Sequence, residues 1–205
     1  MEEAKRRLSE LKDGHLDIAN LGLISLNWMI GHPNFGKIKS IDCSHNQLTT
    51  LLNWPRIEKV NCERNQLIAL PSWFTVRIVN CSYNQLTTLP TWPSLTKLEC
   101  QYNQLKQLPE WLEVKKVNCS FNSLISLPDW SEVEVVICSQ NQLTWLPRWP
   151  LVRKVDCRQN QLAQLPDWPV VEYIHCEENR LTQLSNWPVV RNVYCGENQL
   201  SWLPN

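Results

Sequence analysis

Neither sign of charge is in excess in this sequence. Twenty lysines and arginines face 20 aspartates and glutamates, which gives no general attraction to nucleic acid or to an anionic membrane. No apolar run approaches the roughly 20 residues needed to cross a bilayer, and Met1 to Asp13 is charged where a signal peptide is apolar. There is no glycine-rich phosphate loop, no zinc-protease motif and no CxxC pair of the kind that supplies tetrahedral zinc ligands. His45 has no partner for activating a nucleophile. His175 has Glu172, Glu177, Glu178 and Glu197 near it in sequence but no compact three-ligand set. No catalytic residue, metal ligand or cofactor site can be named, and the expectation is a non-enzymatic protein.

What fills the chain instead is repetition. All nine cysteines, from Cys43 through Cys62 to Cys195, fall on one 19-residue grid, and an asparagine follows each three positions later, from Asn46 to Asn198. Internal repetition at a fixed short period indicates one elongated solenoid rather than separate domains. The unit beginning at Ile57 reads IxxVxCxxNxLxxL: Ile57, Val60, Cys62, Asn65, Leu67 and Leu70, followed by Pro71 and Trp73. Val60 and Cys62 alternate as in a short strand, with Asn61 facing outward. Stacked asparagines at a fixed turn can satisfy buried backbone groups of neighbouring coils. An odd number of cysteines, each where an inward apolar residue is needed, favours a reduced core column over disulfide staples, and hence a reducing compartment.

This pattern resembles the leucine-rich repeat motif LxxLxLxxNxLxxL, over about Leu16 to Pro204, with valine or isoleucine for several leucines and cysteine for the third strand leucine. The resemblance implies a curved solenoid with parallel strands on its concave face and a role in recognising other macromolecules. Short-period members of this kind include bacterial effector repeats and repeat proteins of large DNA viruses. Some effectors of this sort carry a separate ubiquitin-ligase domain, for which this sequence has no counterpart.

Nineteen residues leave only about 10 to 12 for the return path, too few for a helix on each convex side. Two proline columns, one from Pro71 to Pro166 and one including Pro55, Pro93, Pro150, Pro169 and Pro188, predict extended or polyproline-like segments there. The tryptophans from Trp54 to Trp187 form a column between them. Large indoles can fill the convex half of a helix-free coil, with an N–H that reaches a carbonyl; Trp145 and Trp202 lie off this column and are the better candidates for exposed contacts. At the start, Glu2 to Asp13 reads as a helix with Ala4, Leu8 and Leu11 on one face, stopped by Gly14. The expected division is a helical cap over residues 1–15 and a repeat solenoid over 16–205. Leu16-Asp17-Ile18 opens a divergent first coil, 25 positions before Cys43, with six extra residues within Asn27 to Lys37. A second register, through Ile24, Asn27, Met29, Pro33 and Phe35, would place Gly22 in the core.

Candidate contacts lie at outward strand positions. Tyr83, Tyr102 and Phe121 share one position in three consecutive coils, with Ile78, Val135 and Ile137 nearby. Such a run can anchor a partner or stabilise its own sheet surface. Tyr173, His175 and Tyr194 form a second cluster, in an acidic setting suited to a basic peptide. Leu151, Val170 and Val189, with Trp202, mark a lateral patch for self-association, a C-terminal homodimer. A continuous positive track for nucleic acid is interrupted by Glu58, Glu99, Glu134, Asp156 and Glu172. The mixed column Thr49, Ile68, Thr87, Lys106 does not suit a flat ice lattice. The reading is a protein- or peptide-recognition module of a reducing, cytoplasmic compartment, whether its own cell's or a host's; a purely structural repeat protein is the alternative.

Overall fold

The computed structural model describes residues 1–201. Ten three-residue strands form one parallel sheet in sequence order: β1 His15–Asp17, β2 Ser40–Asp42, β3 Lys59–Asn61, β4 Ile78–Asn80, β5 Lys97–Glu99, β6 Lys116–Asn118, β7 Val135–Ile137, β8 Lys154–Asp156, β9 Tyr173–His175 and β10 Asn192–Tyr194. Each strand sits opposite the next with a 19-residue offset, except that β1 meets β2 at 25, pairing Leu16 with Ile41. The first of the two registers therefore holds. The extra residues are taken up by 3₁₀ turns at Asn27–Met29 and Phe35–Lys37. The result is a curved, all-parallel solenoid.

In each strand the middle residue points inward, as does the residue after the strand, a cysteine after each of β2 to β10 and Ile18 after β1. Val60, Val79 and Leu98 are buried, as are Cys62, Cys81 and Cys100. All nine cysteines are free thiols, eight of them buried; Cys195, after the edge strand β10, is half-buried. Beyond the strand, Leu67 and Leu70 close each core slice, and no helix forms on the convex side of the regular coils.

The asparagine ladder supplies the polar half of each coil. Asn84 Nδ2 donates to the carbonyls of Cys62 (3.0 Å) and Cys81 (3.1 Å), while its Oδ1 accepts from the Leu67 N–H (3.0 Å). One amide thus ties together a strand end in its own coil and two backbone groups of the coil before. The same pattern runs from Asn46 to Asn198.

On the far side the indoles stack with ring centroids 6.0 to 6.4 Å apart. The Trp92 Nε1–H donates to the Pro71 carbonyl at 3.0 Å, and Trp111 to Trp187 repeat this with Pro90 to Pro166. Proline suits that position because it has no N–H to leave unpaired, while its carbonyl is needed by the next coil. Trp54 is the exception: the irregular first coil brings no acceptor to its buried Nε1.

The N-terminal helix is shorter than the sequence pattern predicts, ending at Ser9 rather than Asp13. Asp13 and Gly14 both take positive φ, 53° and 72°, making a tight turn in which the His15 N–H donates to the Lys12 carbonyl at 3.1 Å. A Cβ on Gly14 would lie 2.8 Å from the Lys37 carbonyl oxygen, so the turn needs glycine on two counts. The short helix still covers β1, with Ala4 and Leu8 buried and Leu11 packed against the core.

Candidate recognition surface

The outward side chains of the sheet form rows, because every coil repeats the last in register. The row at the start of each strand includes Lys59, Ile78, Lys97, Lys116, Val135, Lys154 and Tyr173. Every charged residue in it from β3 to β9 is a lysine. The row at the end of each strand runs from Asp42 through Asn61, Asn80, Glu99, Asn118, Ile137 and Asp156 to His175 and Tyr194.

The second row is polar for a local reason. Asp42 Oδ1 accepts from the Ser44 N–H at 3.0 Å, and Asn80 Oδ1 from the Ser82 N–H at 3.1 Å. These Asx turns divert the backbone out of the strand and limit it to three residues. At Asp42 burial pushes the carboxyl up, but hydrogen bonds from the Ser44 hydroxyl and N–H and from Asn61 outweigh it and hold the group below its ordinary value. At the first coils the two rows enclose a shallow hollow of about 300 Å³, lined by Asp42, Lys59, Asn61, Ile78, Lys97 and Glu99.

A third row lies at the rim, on the residue before each ladder asparagine. All nine of these residues, His45 to Glu197, have φ between 53° and 57°, although none is glycine. Each such residue costs on the order of 1–2 kcal/mol. The conformation is imposed by coil-to-coil bonds on both sides of it, such as Tyr83 N–H to the Gln101 carbonyl (2.9 Å) and Asn84 N–H to the Tyr102 carbonyl (3.2 Å). Tyr83, Tyr102 and Phe121 occupy this row and stack at 4.3 and 4.0 Å, and the Arg64 guanidinium lies over Tyr83 at 4.2 Å. Their facing sides cover one another, and Tyr102 remains 38% exposed.

The sequence-derived candidates fall into two patches. Val135 and Ile137 project outward from β7, opposite Lys116 and Asn118 of the coil that carries Phe121, and Ile78 lies three strands earlier in the lysine row. Tyr173, His175 and Tyr194 are separated from them by β8, where Arg158 bridges Asp156 at 2.7 Å. In that second patch the His175 and Tyr194 rings stack at 4.5 Å, and His175 Nδ1 lies 3.7 Å from Glu177 Oε1. Among the described residues, no group of three or more His, Cys, Asp or Glu could hold a metal ion, and no helix is long and apolar enough to cross a membrane. Leu151 and Val189 are exposed and Val170 half-buried on consecutive coils; Trp202 lies outside the described residues. Trp145 is exposed as expected.

Two features escaped sequence reasoning. Arg64 closes the aromatic stack, which its place in the Tyr83 column could have signalled. Phe74 and Leu112 are the most exposed large apolar side chains among the described residues, at 81% and 78%. Both stand where neighbouring coils carry Pro55 and Pro93, a column of outward residues.

No family model matches the sequence, and no curated protein matches it. Solved structures do. The leucine-rich effector YopM of Yersinia pestis superposes with a TM-score of 0.83 at 25% identity, covering 98% of this chain and 64% of that one. YopM of Yersinia enterocolitica gives 0.76 at 24% identity, covering 83% and 44%. A leucine-rich repeat protein of Leptospira interrogans gives 0.67 at 19%, covering 100% and 71%. The chain thus spans less than two thirds of either YopM. The recurring motif, the 19-residue coil, the asparagine ladder and these superpositions show that the chain has the leucine-rich-repeat solenoid fold.

Proposed function

We propose that this chain is a non-enzymatic recognition module that binds a protein or peptide through the concave face of its sheet. The observation that carries this reading is the contiguous Tyr83–Tyr102–Phe121 stack, held rigid by its own packing, with Val135 and Ile137 outward on the strand of the next coil. Preformed aromatic edges give a partner buried area at little cost in ordering. Tyr173, His175 and Tyr194 form a secondary contact area. Eight buried free thiols suit a reducing compartment, the cytoplasm or the cytosol of a host cell.

The test is affinity capture of a partner from the native source, followed by competition with variants. Tyr102→Ala and Phe121→Ala are expected to weaken capture about tenfold or more while thermal melting followed by circular dichroism changes little. Unchanged affinity in both would remove the stack from the contact surface. Exposure of Leu151 and Val189, 43% and 48%, favours a second reading in which the lateral face pairs two copies of the chain.

A further inference from the structure

The row at the start of the strands has an internal order that the overall charge balance conceals. Ile78 is registered between Lys59 and Lys97, and three strands later Val135 is registered between Lys116 and Lys154. All four lysines are exposed. Among the described residues Lys59, Lys116 and Lys154 have no carboxylate within salt-bridge distance, and only Lys97 is paired, with Glu99 at 2.7 Å. Two of the nearby acids are already engaged: Arg153 and Arg191 hold Glu172 at 2.8 and 3.3 Å, and Arg158 holds Asp156; Glu58 and Glu134, beside Lys59 and Val135 in the chain, have no cation within salt-bridge distance among the described residues. The row therefore presents cation, aliphatic, cation, cation, aliphatic, cation in register across six consecutive strands.

We propose that this row receives an extended acidic polypeptide segment lying along the solenoid axis, with carboxylate and aliphatic side chains alternating on the side that faces the sheet. This rests on the concave-face reading and gives the partner its chemistry. Adjacent strands are about 4.8 Å apart, so Ile78 and Val135 are separated by about 14 Å. In an extended chain, residues on one side recur every ~6.8 Å, so two such steps also span about 14 Å. Two aliphatic side chains four residues apart meet Ile78 and Val135, and the carboxylate between them falls over the gap between Lys97 and Lys116. Carboxylates two residues beyond each aliphatic residue reach Lys59 and Lys154. A single-stranded nucleic acid fits less well. Ile78 and Val135 interrupt its phosphate contacts, and the aromatic faces between Tyr83, Tyr102 and Phe121 are closed by one another, with Arg64 over the outer face of Tyr83.

The probe is the fluorescein-labelled peptide Glu-Ser-Leu-Ser-Glu-Ser-Leu-Ser-Glu, titrated with the full chain and followed by anisotropy. Binding that weakens with added salt is expected. Replacing the three glutamates by glutamine, or combining Lys97→Gln with Lys116→Gln in the protein, should each weaken it about tenfold. Ile78→Ser with Val135→Ser should weaken the acidic and glutamine peptides alike. Equal binding of the two peptides, no response to the lysine pair, or tighter binding of a 12-nucleotide oligothymidine would overturn the proposal. Failure of the acidic peptide to bind, with captured partner still lost on Tyr102→Ala and Phe121→Ala, would sink the acidic-segment assignment and leave the recognition reading intact.

Discussion

Asn84→Ala is expected to destabilise the solenoid by about 4 kcal/mol, because it strands three backbone groups at once, each worth roughly 1–3 kcal/mol when buried and unpaired. The carbonyls of Cys62 and Cys81 lose their donor, and the Leu67 N–H loses its acceptor. Asn84 is buried between coils, so water has little access to replace these bonds. Asn84→Asp should be no milder at neutral pH: it keeps an acceptor for Leu67 but sets a carboxylate oxygen against two carbonyls. The neighbouring Gln85, which is exposed, provides the control, with Gln85→Ala expected to fall within about 0.5 kcal/mol of the parent. Urea denaturation of the three variants decides the matter. A loss below about 1 kcal/mol for Asn84→Ala would mean that the ladder is replaceable by local rearrangement.

A second large effect is expected in alkali. Burial pushes all eight inward thiols upward, with Cys119 and Cys176 each raised to about 12, and neighbouring thiols reinforce the shift at Cys62, Cys100 and Cys138. In the unfolded chain a thiol ionises near 8.5. Between those values the folded protein keeps protons that the unfolded chain releases, so this contribution is complete below about pH 8.5 and is lost as pH rises toward the folded values. Each thiol forfeits about 1.4 kcal/mol per pH unit in that interval, and eight acting together approach roughly 11 kcal/mol per unit. Stability to urea should therefore collapse between about pH 9 and 10.5, more steeply than in a protein without a thiol column. Replacing Cys100 and Cys119 together by alanine should reduce the slope by about a quarter, measured against the parent at each pH. An unchanged slope would assign the alkaline transition to other groups. At neutral pH a thiol reagent should label Cys195 first, and the eight others only on unfolding.

How much was legible beforehand follows from which interactions repeat. The inward positions of Val60, Cys62, Leu67 and Trp73 could be read directly, since a column that keeps the same kind of side chain through eight or nine coils has one environment to suit. The asparagine and tryptophan bonds were legible for the same reason: each satisfies a backbone group at a constant offset along the chain. The aromatic trio was placed correctly side by side, because equal spacing means adjacent coils. The helix end was misjudged because Leu11 fits the apolar face of a longer helix. The pairing of Lys12 with His15 across the Asp13-Gly14 turn overrides that local periodicity.

Sequence periodicity by itself settled the length of the coil, the sheet order, the buried columns and the lack of a convex helix, since all of these follow from repeating a 19-residue constraint. Only the tertiary structure decided what the non-repeating residues do. It put the rim residues at positive φ, closed the faces of Tyr83, Tyr102 and Phe121 on one another, and paired Glu172, Asp156 and Glu99 with cations while leaving Lys59, Lys116 and Lys154 without carboxylate partners. The physical reason is that an outward side chain has candidate partners both two residues away in its own coil, as Lys97 has Glu99, and 19 residues away in the next, as Arg153 has Glu172, and which of them it meets depends on rotamers that the repeat does not fix.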